Sequence, residues 1–107
     1  MLTCIIKYDI DPTKHDDFRQ YARNWGQAIP RCGADLIGYF APHEGSTTCA
    51  YGIYNIESLA AYEAYRARLA QDPIGQANYA FAQERKFILR EDRTWLKLAS
   101  SQQETHA

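Results

Sequence analysis

From Leu2 to Ile10 the chain alternates: Leu2, Cys4, Ile6, Tyr8 and Ile10 fall on one face, Thr3, Ile5, Lys7 and Asp9 on the other. A period of two with one apolar face predicts a strand covered on one side. The period then lengthens. Phe18, Tyr21, Ala22, Trp25, Ile29 and Cys32 recur at three- and four-residue steps, the apolar stripe of an amphipathic helix. Lys14, His15, Arg19, Gln20 and Arg23 fill its wet side. Asp11 is placed to cap this helix and Pro12 to take its first position. Asp16 and Asp17 lie at the favourable end of its dipole. The helix is expected to run to about Pro30, with Pro30 and Gly33 stopping it. Gly26 inside it costs about 1 kcal/mol relative to Ala and is read as a point of close packing against the sheet.

The centre of the chain, ADLIGYFAPHEGSTTCAYGIYN, reads as two strands around a Pro-His-Glu-Gly-Ser-Thr turn, with Gly38 in one strand and Gly52 in the other. Leu36, Gly38 and Phe40 are expected on one face, with Ile37, Tyr39 and Ala41 opposite. In the next strand Ala50, Gly52 and Tyr54 share a face, and Cys49, Tyr51 and Ile53 the other. Glycine inside a strand marks a bulge or a close approach, and two of them beside Ala50 are expected to leave a shallow hollow. Asn55 is placed to cap a second helix with the stripe Leu59, Tyr62, Tyr65 and Leu69, in which Arg66 and Arg68 reach solvent or a cleft. Asp72-Pro73 ends it and caps a short extra helix with the stripe Ile74, Ala77, Ala80 and Phe81. A last strand is predicted over Phe87 to Leu98. Its alternation is interrupted by Arg90-Glu91-Asp92-Arg93, which a bulge or an edge position accounts for. Residues 1–99 thus form the domain, and Ser100 to Ala107 a polar tail expected to fray.

Strand, helix, strand, strand, helix with an extra helix, strand is the α+β, ferredoxin-like βαββαβ order. It predicts a four-stranded antiparallel sheet with helices on one face. The other face would carry Ile5, Tyr39 or Phe40, Tyr51, Ile53 and Trp95, too apolar to stand in water. A symmetric dimer in which two sheets close over each other is the expected remedy.

A length of 107 residues suits one domain. The formal net charge of -1 removes the electrostatic case for nucleic acid or an anionic membrane surface. No apolar run approaches the roughly 18 residues that span a bilayer, and the N-terminus has no basic-then-apolar leader. A cytoplasmic protein is expected. Cys4, Cys32 and Cys49 are odd in number and irregular in spacing, which gives neither a disulfide framework nor a zinc signature; they are read as reduced packing residues. No metal site is expected.

The run AYGIYNIESLAAYEAYRARLAQDP, preceded by ADLIGYFAPHEG and followed by ERKFILREDRTWL, resembles the NIPSNAP family from Thr3 to about Leu98. The specific parts are an aromatic strand entering a Ser-Leu-x-x-Tyr-x-x-Tyr-Arg helix, then the Asp-Pro break. The resemblance implies a dimeric α/β barrel, in which two ferredoxin-like sheets form one barrel. It implies no established activity. The wider barrel superfamily includes cofactor-free monooxygenases of aromatic polyketides, haem-degrading monooxygenases, chlorite-decomposing haem enzymes and lactone isomerases, often with the pocket between sheet and helices. They share no catalytic motif, so no catalytic residue is carried over.

Among the residues themselves, His43 stands in the hairpin turn beside Glu44, as a general-base candidate near neutral pH or a single haem or metal ligand; an exposed turn histidine is the plain alternative. His15 and His106 read as surface. Tyr8, Trp25, Phe40, Tyr54 and Tyr62 are placed to line a flat apolar cavity above Gly38 and Gly52, or else to fill the core. Asn24 and Asn78 stand available beside Trp25, at spacings unlike those of the haem-degrading relatives. Arg66 and Arg85 are placed to anchor a carboxylate, or to pair on the surface with Glu63 or Glu84. Adjacent Glu91 and Asp92 point to opposite faces and make no acid/base dyad. There is no phosphate loop and no nucleophile elbow. The expected function is binding of a small apolar or aromatic molecule between sheet and helices. The alternatives are a cofactor-free monooxygenase-like enzyme, a haem-binding protein or a non-catalytic interaction module.

Overall fold

In the computed structural model, which describes residues 1–99, the alternating N-terminal segment forms β1 (Leu2–Ile10). It runs down the middle of an antiparallel sheet of order β2-β3-β1-β4, with β2 (Asp35–Phe40), β3 (Cys49–Ile56) and β4 (Ile88–Leu96). Three helices, α1 (His15–Arg31), α2 (Leu59–Gln71) and α3 (Pro73–Arg85), cover one face. This is the ferredoxin-like α+β arrangement expected of the sequence. The tail and His106 lie outside the described residues.

The core lies where β1 meets α1. Cys4, Ile6, Tyr8 and Ile10 of β1 are buried with Phe18, Tyr21, Trp25, Ala28, Ile29 and Cys32 of the α1 segment. Phe18 is fully buried, with Tyr8 at 5.5 Å and Phe87 at 6.4 Å between ring centroids. Cys4, Cys32 and Cys49 are free thiols. Burial pushes the first two up in pKa, so they behave as small hydrophobes.

Local chemistry departs from expectation at several element ends. α1 begins at His15, not at Pro12, because Asp11 closes a turn of its own. Its Oδ1 accepts the Thr13 N–H at 2.9 Å and the Thr13 hydroxyl at 2.7 Å, the local competition that keeps Asp out of helix interiors. Pro30 sits inside the last turn, and α1 closes one residue later through Gly33 at φ +108°, with the Ala34 N–H returning to the Ile29 carbonyl at 3.3 Å. Gly26 is exposed with open space around it, so close packing is not its reason. Asn55 does not cap α2. It stays in β3, accepting from the Thr3 hydroxyl and donating to Asp35, while Ser58 caps α2 through the Ala61 N–H at 3.1 Å. Leu59, at that exposed first turn, is 57% exposed rather than part of the stripe. α3 is a full helix of 13 residues, as long as α2. It turns Gly75 and Asn78 inward and leaves Ala77 and Ala80 exposed.

Asp72 caps α3 as expected, accepting the Gly75 N–H at 2.9 Å, and receives Arg31 Nε at 2.9 Å and Nη2 at 2.6 Å. The Gly75 N–H, with Arg31, holds its carboxyl below the usual range despite burial. A lowered folded pKa means that this contribution is complete above about pH 4, the unfolded carboxylate value, and is lost as pH falls through the lower folded one. Asp72→Asn is therefore expected to lower Tm by roughly 5 °C at pH 7. The gap from wild type should close toward pH 2.5 in thermal melts; a gap independent of pH would refute the ionic role.

Two strand faces also differ from expectation. A register shift between Leu36 and Gly38 makes Ile37 an extra residue, and a bulge re-aims everything after it. Leu36 and Tyr39 therefore share the helix face, opposite Tyr54 and Gly52, while Gly38 and Phe40 turn to the other side, opposite Ile53 and Tyr51. Trp95 pairs with Cys4 on the helix face, so it does not belong to the open face. β4 is an edge strand, which accounts for its charged run; its register shift falls at Leu89, ahead of Arg90–Arg93, which pair regularly with β1.

Candidate functional site

No helix lies closely over β4. α1 packs toward β2, α2 over β3, and α3 chiefly against α1. The uncovered part of the helix face opens as a cleft of about 730 Å³. Its floor is Ile6 and Tyr8 of β1, Tyr54 of β3, and Ile88, Glu91 and Arg93 of β4. Its walls are Tyr21, Trp25 and Ile29 of α1, Tyr62, Tyr65, Arg66 and Leu69 of α2, and Tyr79, Ala82 and Gln83 of α3. Lys86, which ends α3 in the left-handed region at φ 53°, also lines it.

Seven of the chain's eight tyrosines, Tyr8, Tyr21, Tyr39, Tyr54, Tyr62, Tyr65 and Tyr79, line this one cleft. Their rings fall into two connected sets, Tyr54, Tyr62 and Tyr65 on one side and Tyr8, Tyr21, Tyr39 and Tyr79, joined through Trp25, on the other. Tyr8 lies 6.2 Å from Tyr21 and 6.1 Å from Tyr39, Tyr21 is 5.6 Å from Trp25, and Trp25 is 5.2 Å from Tyr79 at the exposed rim. Edge-to-face contacts dominate this chain, as ring quadrupoles favour. Burial pushes the Tyr21 phenol up to about 12, and raises Tyr8, Tyr39, Tyr54 and Tyr65 as well. At neutral pH these phenols keep their protons and act as hydrogen-bond donors or acceptors, not as bases.

The charged part is small. Arg93 Nη1 donates to the Tyr62 hydroxyl at 3.0 Å, and Nη2 lies 3.5 Å from Glu91 Oε1. Burial works against the Arg93 charge, and Glu91 is the anion beside it that favours the charged form. Arg66 stands over the Tyr62 ring, 5.7 Å from its centroid. The Trp25 indole N–H is buried without a hydrogen-bond partner, a state that costs about 1–3 kcal/mol where nothing occupies it.

Of the residues singled out from sequence, Tyr8, Trp25, Tyr54, Tyr62 and Arg66 meet in this cleft. The others do not line it. Gly52 is on the helix face, but the Tyr39 ring fills the space above it; a Cβ there would stand 2.7 Å from Tyr39 Cζ. Gly38 and Phe40 lie on the opposite face because of the Ile37 bulge, and Phe40 is 50% exposed. The two glycines therefore make no common hollow. His43 is exposed in the β2–β3 connection. Arg85 stands over the Phe81 ring at 5.8 Å, outside the cleft. Among the described residues neither Arg66 nor Arg85 has an ion-pair partner, so the pairing considered with Glu63 or Glu84 is not formed. Asn24 and Asn78 act structurally: Asn24 donates to Asn78 Oδ1 at 2.9 Å, and fully buried Asn78 donates to the Tyr21 carbonyl at 3.0 Å, tying α3 to α1. His15 holds the Thr47 carbonyl at 2.6 Å. No cluster of three metal-ligating side chains occurs among the described residues.

Tyr21, Tyr39, Tyr65, Tyr79, Glu91 and Arg93 are site residues that the sequence reading missed. Glu91 and Arg93 were legible: two apart in a strand, they share a face, opposite Tyr8 and Ile6. A second signal was the tyrosine count, since phenylalanine would pack a purely structural stripe without a hydroxyl to satisfy.

The NIPSNAP family model matches residues 3–102. Among solved structures, a NIPSNAP domain protein from Burkholderia xenovorans is 23% identical, with 94% of this chain and 96% of that chain covered and a TM-score of 0.74. A NIPSNAP family protein from Agrobacterium tumefaciens is 25% identical, with 92% and 93% covered and a TM-score of 0.74. A putative antibiotic biosynthesis monooxygenase from Nitrosomonas europaea has a similar fold at 11% identity, with 94% and 100% covered and a TM-score of 0.71. No curated protein matches the chain.

Proposed function

The chain belongs to the NIPSNAP family, and from that premise we propose that it binds a small aromatic molecule in the cleft between its sheet and its helices. The observation that carries this reading is the gathering of Tyr8, Tyr21, Tyr39, Tyr54, Tyr62, Tyr65 and Tyr79 around one open volume. Ring faces offer a flat ligand stacking area, and protonated phenols offer it hydrogen bonds without ionic chemistry. A binding role is favoured over a cofactor-free oxygenase role, because the lining's one carboxylate, Glu91, is held beside Arg93. Haem binding through His43 draws no support, since His43 does not reach the cleft.

Ala82→Phe places a ring into the cleft from its α3 wall. Naphthalene derivatives titrated into wild type should quench intrinsic fluorescence, and the variant should bind them at least about tenfold more weakly with an unchanged circular dichroism spectrum. Equal affinity in the variant, or no binding to wild type, would overturn the reading.

The subunit is proposed to act as a homodimer through the open sheet face. Ile5, Tyr51, Ile53, Phe40 and Leu96 lie on that face by register. Lys7, Asp9, Arg90 and Asp92 lie at its end. A patch that carries both signs beside apolar residues can complement a copy of itself about a two-fold axis. Among the described residues no helix is long and apolar enough to cross a membrane, and three free thiols support work in the reducing cytoplasm.

A further inference from the structure

Resting on the cleft reading above, we infer that the ligand is a planar aromatic acid whose anionic group sits beside the Tyr62 hydroxyl, between Arg66 and Arg93. Both guanidinium groups converge on that one side chain. Arg93 donates to its hydroxyl at 3.0 Å, and Arg66 stands over its ring at 5.7 Å. Arg66 is not spent on the protein, and Arg93 is only partly so. Arg66 has no carboxylate within ion-pair distance among the described residues, and Glu91 approaches Arg93 at 3.5 Å, longer than a charge-assisted hydrogen bond of about 2.7–2.9 Å. Lys86 adds a third cation to the lining against the one carboxylate, Glu91. The chain as a whole is slightly acidic, with a net charge of -1, so this local excess of positive charge is not a reflection of composition. In a cleft walled by low-dielectric rings such an excess attracts an anion more strongly than it would on an open surface.

The second half of the inference concerns the far end of the ligand. The Trp25 indole N–H is buried without a partner, and the ring is only 3% exposed while it lines the cleft. An indole N–H donates only, so the groups that can satisfy it are acceptors: the Tyr21 hydroxyl, whose phenol already senses it, or a carbonyl or ether oxygen carried on the ring system. Recognition is thus asymmetric, with a charged clamp at Tyr62 and a neutral donor at Trp25. An aliphatic cation or a donor-rich ligand such as a sugar would meet the wrong charge and too few acceptors.

The test compares 2-naphthoate with its neutral shape analogue 2-acetylnaphthalene, by calorimetric titration into the full chain at pH 7.5. Naphthoate is expected to bind at least about tenfold tighter, with the advantage shrinking at 0.5 M salt as exposed Arg66 is screened. Arg66→Gln, on an exposed helix position, should remove most of that advantage, read as the ratio of the two affinities in the same variant; Arg93→Gln should do the same where circular dichroism shows it folded. Equal binding of the two probes to wild type, or an advantage that survives Arg66→Gln, overturns the anion clamp while leaving the cleft reading intact. Failure of both probes to bind overturns the cleft reading and the clamp with it.

Discussion

Phe18→Ala is expected to lower the free energy of unfolding by about 3–5 kcal/mol, the cost of deleting a fully buried ring. Phe18 is 0% exposed and meets four aromatic rings: Tyr8 at 5.5 Å, Tyr21 at 6.0 Å, Tyr39 at 6.2 Å and Phe87 at 6.4 Å. These neighbours come from β1, β2, the segment just before β4 and α1 itself, so they cannot all move inward to fill the space. A domain of this size is stable by about 5–15 kcal/mol in total, so the variant should sit close to its unfolding threshold. Urea titration should show a lower midpoint with an unchanged slope. A loss below about 1 kcal/mol would mean that the rings collapse into the gap and that the core is far softer than its packing implies. Tyr8, Tyr21 and Tyr39 also line the cleft, so ligand affinity should fall along with stability. Core and site are one aromatic cluster, with Phe18 behind it and open volume before it.

How much of this could be read from residues alone follows from the range of the forces involved. β1 was legible to the residue because strict alternation is imposed by a buried face on a central strand, and nothing local competes with it. The α1 stripe was legible for the same reason. The start of α1 was not, because Asp11 has two local uses, cap or turn, and only the path of the chain after β1 decides between them. The face assignment in β2 failed at one residue. A bulge at Ile37 leaves no mark in the apolar pattern, yet it carries Tyr39 over Gly52 and sends Phe40 to the far side. That single shift explains why the expected glycine hollow is absent. Gly52 was read correctly as a place of close approach, but the group that approaches is a side chain of this chain rather than a ligand. In the Arg90–Arg93 run the outward half, Arg90 and Asp92, is the exposed edge that one of the two sequence explanations expects. Its inward half supplies Glu91 and Arg93 to the cleft.

Ile53→Asp is expected to convert a dimer into a monomer. By register Ile53 faces away from the helices, between Ile5 on β1 and Gly38 on β2, near the middle of the open face. The same residue would meet the partner's sheet in both subunits, so one substitution introduces two carboxylates into the proposed two-fold interface. Breaking a desolvated site with an unpaired charge costs about 3–5 kcal/mol, which is a rise of roughly a hundredfold to several thousandfold in the dissociation constant. Within one subunit the change should be mild, since the side chain does not enter the cluster formed by Tyr8, Phe18 and Tyr21. Light scattering after size exclusion should give wild type near twice 12.3 kDa and the variant near 12.3 kDa, with matching circular dichroism. Wild type that is monomeric at micromolar concentration would remove the dimer altogether. A variant that stays dimeric would move the interface off this face, leaving Ile5 and Phe40 to be covered in some other way.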